Sequence, residues 1–285
     1  MMLTIDSHQH LWQLSRFDYG WIQPDQRALY QDRLPPHVLP DMQAAGIQHA
    51  VLVHATNTAD EIPWLLHLCD EYPYIVGVVG WVDLGSPSVS AALAGFSRDP
   101  RFKGVRLHLP IEPSDMAAVE QGLRALAQHH LSCDLLLNLA AMPQALRLIR
   151  AHPDVMFVLD HLAGARITAQ DTPAFATTIE PLRMLPNVCM KLSGFLTASP
   201  HKEPDALLTS LRAHTDIALD VLGSARLMFG SDWPVCTLAG SYQQAVALLR
   251  MVTAGYSQQE QDRIWGHNAQ RVYQLVLQRL KRGSA

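Results

Sequence analysis

Eight short apolar, β-branched runs, separated by stretches of helical periodicity, most narrowly limit what this chain can fold into. They occupy residues 3–5, 49–53, 75–79, 103–107, 134–137, 155–159, 188–192 and 226–230. Near-continuous apolar runs fit parallel strands, whose two faces are both covered by crossover helices. Helical patterns at 36–45, 61–71, 119–129, 143–151, 204–222 and 242–253 supply such covers. Several open on Pro, Asp or Ser and stop at Gly or the next Pro. The alternation predicts an α/β fold, a (β/α)8 TIM barrel spanning 1–285 as a single domain, with a C-terminal helical extension from about Ser257 to Lys281. An open doubly wound sheet would expect a Gly-rich phosphate loop after the first strand, and His8-Gln9-His10 stands there instead.

Bulk properties remove several functional classes. The chain is 48% hydrophobic and 17% charged, and its 22 basic against 26 acidic residues leave a net charge of −4, so no nucleic-acid partner is expected. The basic cluster Arg279, Lys281 and Arg282 reads as a complement to a helix end. Cys69, Cys133, Cys189 and Cys236 form no C-x-x-C pair and read as reduced, buried thiols. With no basic, cleavable leader and no apolar run of roughly 18 residues, no membrane partner is expected and a cytoplasmic location is.

In a barrel, polar residues at the carboxyl ends of strands read as functional, because the interior below them is apolar. Strand one ends in His8 and His10, whose side chains share a face two residues apart. Strand three ends in Asp83, strand four in Arg106-Leu107-His108, strand five in Asn138, and strand six in Asp160-His161. Strand seven ends in Lys191-Leu192-Ser193-Gly194 and strand eight in Ser231-Asp232-Trp233-Pro234. The long segment 11–35, carrying Trp12, Phe17, Tyr19, Trp21 and Tyr30, is expected to roof the site.

The chain resembles the amidohydrolase superfamily, in its branch of fuconolactonase-like sugar-acid and dicarboxylate lactonases. The matching words are Ile5-Asp6-Ser7-His8-Gln9-His10 with Trp12, Val78-Val79-Gly80-Trp81-Val82-Asp83, Gly104-Val105-Arg106, and Val158-Leu159-Asp160-His161. They continue through Lys191-Leu192-Ser193-Gly194, Phe229-Gly230-Ser231-Asp232-Trp233-Pro234, and Gly266-His267-Asn268-Ala269 with Arg271 and Tyr273, end to end along the chain.

The resemblance implies a lactone-opening hydrolase with a small-molecule substrate. Asp232 resembles the carboxylate that takes a proton from water and returns it to the leaving oxygen, with His8, His10 and His161 converging on the carbonyl or on a metal. Arg106 and Lys191 resemble substrate-anchoring or oxyanion-stabilising cations, with pairing to Asp83 or Asp160 as the alternative for each. Trp12, Tyr19, Trp21, Asp83 and Asn138 are the remaining expected substrate contacts. The bridging ligand and strand-five histidine of a two-metal centre are missing, so a metal-free site is expected, with a single zinc on His8, His10, His161 and Asp232 as the alternative. A zinc-dependent decarboxylase or amide hydrolase, and a non-catalytic binder of small carboxylates, are the rival functions. Two departures from the fuconolactonase pattern leave the sugar acid open. His108 follows Leu107 where the family places its histidine directly after Gly-Val-Arg, which puts it on the other face or in the loop, and Asn138-Leu139 replaces a Tyr-Pro-Arg-type segment.

Overall fold

A computed structural model describes residues 2–200 and 203–277. Its strands are β1 (Ile5–Gln9), β2 (His49–Val53), β3 (Ile75–Gly80), β4 (Phe102–His108), β5 (Ser132–Leu136), β6 (Phe157–Leu159), β7 (Val188–Leu192) and β8 (Leu227–Phe229). They form one sheet in that order, every adjacent pair parallel. The sheet closes at its carboxyl end, where Gln9 bridges to Trp233, the His10 amide donates to the Trp233 carbonyl (2.7 Å), and the Asp232 amide donates to the His8 carbonyl (2.9 Å). The expected (β/α)8 barrel is the observed fold.

Eight helices of eight residues or more are found among the described residues, one after each strand. They are α1 (Pro35–Ala44), α2 (Glu61–Glu71), α3 (Val89–Phe96), α4 (Met116–Gln128), α5 (Met142–Ala151), α6 (Thr172–Ile179), α7 (Pro204–Leu222) and α8 (Tyr242–Thr253). Helices α3 and α6 lie outside the six patterns read from sequence. Both are short, and each leaves only two residues fully buried, so its apolar stripe is narrow.

Strand β1 departs from the apolar run expected at 3–5. Its body is Ile5-Asp6-Ser7-His8-Gln9, all buried. A polar strand survives burial only when its polar groups are partnered. Asp6 accepts from the Ser231 amide (2.8 Å), the Gln9 side-chain amide (2.8 Å) and the Tyr242 hydroxyl (3.2 Å), and Ser7 Oγ donates to the Phe229 carbonyl (2.6 Å).

The amino end of the barrel is sealed. Ile5, Val51, Val79, Val158, Cys189 and Met228 pack against Ala269, Val272, Tyr273 and Leu275. These belong to a C-terminal segment with short helices at Gln258–Asp262 and Asn268–Val272 joined by a π-turn. Positions 278–281 of the expected extension, and with them Arg279, Lys281 and Arg282, fall outside the described residues. No helix among the described residues is long and apolar enough to cross a membrane.

Candidate active site

At the carboxyl end the packed interior gives way to a cavity of about 920 Å³, walled by His10, His54, Arg106, His108, His161 and Asp232. Its floor is a cluster of imidazoles around one carboxylate. The His8 and His10 Nε2 atoms approach to 3.0 Å, and Asp232 Oδ1 stands 3.7 Å from the first and 3.6 Å from the second. His161 Nε2 is 3.9 Å from the same oxygen.

Local backbone choices make that convergence possible. His161, Leu162 and Ala163 take φ of 54°, 50° and 56°, and Asp232 takes 58°, all in the left-handed region that L-residues avoid at about 1–2 kcal/mol each. Glycines clear the space beneath. A Cβ on Gly194 would come within 2.7 Å of the His161 ring, and one on Gly230 within 2.7 Å of His8 Cβ. The cost of the left-handed turns is carried at the two side chains that meet at the cavity floor.

Each ring is oriented by a second contact. His10 Nδ1 donates to the Val53 carbonyl (2.8 Å), and His161 Nδ1 lies 2.9 Å from Ser193 Oγ. His8 Nδ1 faces Lys191 Nζ at 3.1 Å and Asp160 Oδ1 at 3.3 Å. Burial, then Lys191, holds His8 well below the usual imidazole range, and burial also lowers His10, so both rings are neutral near pH 7.

Arg106 is fixed from one side. Its Nε donates to His54 Nε2 (3.0 Å) and its Nη2 to the His54 carbonyl (2.8 Å), while Nη1 stands 3.9 Å from the buried Asp160 Oδ2, the pairing that was the alternative reading for this residue. His54 and His108 stack at 5.9 Å. Burial and then Arg106 lower both, His108 to about 4, so the wall presents neutral imidazoles beside one guanidinium.

The loop carrying His54 is held by Glu61, which accepts from the Ala55 and Thr56 amides (3.0 and 3.4 Å). Burial pushes the Glu61 carboxyl up to about 8 from an ordinary 4.5. Between those values the unfolded chain releases this proton while the folded chain keeps it, so the Glu61 contribution makes stability fall as pH rises through the window. Glu61→Gln keeps an acceptor and removes the titration. Thermal midpoints measured from about pH 5 to 8 are expected to slope downward less in the variant than in the wild type; parallel slopes would contradict the assignment.

The structure separates the sequence-expected residues. His10, His161, Asp232, Arg106 and Trp21 line the cavity, and His8 lies directly beneath it. Five of the expected residues are placed elsewhere. Lys191 is fully buried under His8, bonded to Asp134 Oδ2 (2.6 Å) and 3.0 Å from Asp160 Oδ1, because the barrel interior there has two carboxylates to neutralise. Pairing with Asp160, not substrate anchoring, is its situation. Trp12 and Tyr19 form the roof's own small core with Ile22 and Leu29, Trp12 Nε1 donating to the Gln31 carbonyl (2.8 Å). Asp83 caps the Gly85 amide (2.9 Å) beside a neighbouring cavity, and Asn138 is an exposed cap on the Ala141 amide (3.2 Å). His108 ends β4 on the face opposite Leu107, one of the two expected places, which is the face of Arg106, and there it joins the wall. Sequence reasoning missed His54, which directly follows β2 and satisfies the same strand-end test. It also gave no role to Asp6, Glu61 or Asp134, whose work is done through other residues.

The donor set suits a divalent ion. Two ligands about 2.1 Å from a tetrahedral zinc are about 3.4 Å apart, and the His8, His10 and Asp232 atoms stand 3.0 to 3.7 Å from one another.

Comparison with known proteins places this geometry. The amidohydrolase family model matches residues 5–275. L-fucono-1,5-lactonases of Burkholderia multivorans and Burkholderia ambifaria are each 34% identical, the first over 96% of both chains, the second over 85% of this chain and 84% of the relative. A crystal structure of an amidohydrolase from Burkholderia multivorans with bound zinc superposes with a TM-score of 0.89 at 31% identity, covering 96% of this chain and 100% of that one. The expectation of a metal-free site is therefore corrected. Zinc is bound in that relative, and this chain brings His8, His10 and Asp232 together in a cluster able to hold an ion. Missing ligands for a second metal argued only against a two-metal centre.

Proposed function

The chain belongs to the amidohydrolase family, and on that premise we propose that it opens the lactone ring of a sugar acid or a related carboxylic acid by attack of water on the carbonyl. The observation that carries the proposal is the meeting of His8, His10, His161 and Asp232 at the floor of a cavity walled by Arg106 and neutral imidazoles. Those groups match the needs of acyl transfer, which are a base for water and donors for the oxygen that becomes negative.

His8, His10 and Asp232 are the residues that would hold one divalent ion, with His161 adjoining. Held there, such an ion supplies Lewis-acid polarisation of the carbonyl and acidifies a water. Asp232 takes the proton from the attacking water and returns it to the ring oxygen as the acyl bond breaks. When Ser193 Oγ donates to His161 Nδ1, the ring carries its proton on Nε2, facing the cavity and the developing oxyanion. The Arg106 guanidinium, at the cavity wall, supplies a further positive charge and donor there. Trp21, tied to the Ala55 carbonyl through Nε1 (2.7 Å), gives the mouth a fixed aromatic face against which a sugar ring can lie.

The test is a panel of aldono-1,4- and 1,5-lactones, L-fucono-1,5-lactone among them, followed by acid release in weakly buffered indicator solution. Saturable acid release from at least one member, with kcat/KM of about 10⁴ M⁻¹s⁻¹ or above, is expected. Background hydrolysis alone across the panel would sink the proposal.

A further inference from the structure

On the reading of this chain as a lactonase, we propose that its preferred substrate carries a neutral glycosyl substituent, and that a second cavity, entered between Asn57 and His108, binds that unit. Two cavities lie at the carboxyl end of the barrel, one of about 920 Å³ over the imidazole cluster and one of about 570 Å³ beside it, over the ends of β3 and β4. Asn57 and His108 line both, so the two adjoin. Each alone is within the size of a whole small-molecule site, about 300–1,000 Å³. A single lactone ring in the first leaves the second unfilled.

The polar groups at the junction and beyond it have no other occupation. Among the described residues, no side-chain hydrogen bond is found for Asn57, Trp81, His108 or Glu112. Trp81 directly follows β3, is half-buried in the wall of the second cavity, and stacks on no other ring among the described residues. Asp83 Oδ1 accepts from the Gly85 amide (2.9 Å), which fixes that carboxylate and leaves its second oxygen for a ligand.

The lining selects the ligand. Asp83, Glu112 and Asp115 stand in the wall, and no lysine or arginine does. Carboxylates only accept hydrogen bonds, so this wall suits hydroxyl donors and repels a second carboxylate. It is not built for a cation, since the groups able to hold an ion among the described residues include none of the three. The rest of the wall is apolar, with Leu107 and Ile111 facing the same space as the Trp81 ring. A pyranose matches both halves, its C–H face lying on the indole and its hydroxyls donating charge-assisted bonds to the carboxylates. In a 1,5-lactone the C4 carbon lies across the ring from the carbonyl carbon. With the carbonyl over Asp232, a substituent on O4 leaves the floor for the rim, where Asn57 and His108 open the way into the second cavity. Contacts made there, remote from the reacting carbonyl, hold the ring in place for the reaction.

The test compares ligands that share a ring and differ by the glycosyl unit. Acid release by the full chain, with the spontaneous rate subtracted, is expected to give a kcat/KM about ten-fold or more higher for cellobiono-1,5-lactone than for D-glucono-1,5-lactone. Trp81→Ala is expected to bring that ratio close to one. Glu112→Gln, at an exposed position, is expected to lower it about three-fold and carries the test if Trp81→Ala does not fold. Calorimetric titration with the open acids, cellobionate and gluconate, reads the same preference without turnover, as a Kd about ten-fold lower for cellobionate. The kinetic ratio decides if the lactones are opened, and the Kd ratio decides if they are not. A wild-type ratio of one or below, or a ratio unchanged in the variants, overturns the second site, and opened lactones then leave the lactonase reading standing. Cellobionate preferred through Trp81 with no lactone opened sinks the lactonase reading and keeps the glycosyl site.

Discussion

Replacing Asp232 by Asn is expected to lower kcat by about 10³-fold or more while leaving the thermal midpoint close to wild type. The substitution suits the backbone as well as the chemistry. Asp232 sits at φ 58°, and Asn is among the few residues that tolerate this region. The neighbouring contacts are main-chain ones, the Asp232 amide to the His8 carbonyl and the Cys236 amide to the Asp232 carbonyl, so they survive the exchange. What is lost is a base, and with it an anionic partner for three imidazole nitrogens 3.6 to 3.9 Å away. Zinc content measured beside kcat separates the two losses. A variant that retains zinc but not turnover identifies the base, and near-normal kcat would remove that role from Asp232.

The second large effect is expected at Arg106. Arg106→Met should lower kcat/KM by about 10²–10³-fold, with a rise in KM as well as a fall in kcat. The guanidinium is buried at the cavity wall, with two of its nitrogens committed to His54 and the third 3.9 Å from Asp160 Oδ2, so it is held in place before substrate arrives. Lysine cannot reproduce this arrangement, because a point charge cannot bond the His54 ring and carbonyl while offering a third donor. Arg106→Lys is accordingly expected to recover little of the loss. Full recovery in kcat/KM would mean that charge alone matters, against the oriented fork described here.

Much of this was legible in the sequence, for identifiable reasons. Parallel strands buried on both faces leave near-continuous apolar runs, so β2 and β7 fall on the residues the pattern names. Strand-end polarity located His8, His10, Arg106, His161 and Asp232, because function enters a barrel only at that rim. Strand β1 was harder, since its polar body is stable only through partners such as Ser231 and Tyr242, more than 220 residues away. Lys191 was misjudged for the same reason. Its position on β7 says that it points inward, but only the folded barrel shows Asp134 and Asp160 below the cavity, closer to it than any ligand could be. His54 was within reach and was passed over because the apolar run ended one residue before it.

The central proposal is that His8, His10 and Asp232 would hold one divalent ion, which would polarise the lactone carbonyl and acidify the attacking water. The most direct measurement is acid release from L-fucono-1,5-lactone, or the best panel substrate, by chelator-stripped protein as zinc is titrated back, with bound metal quantified in the same samples. The expected result is activity near background in the stripped protein, rising linearly to a plateau at about one zinc per chain. Full activity in protein stripped of metal, unchanged across the titration, would contradict it.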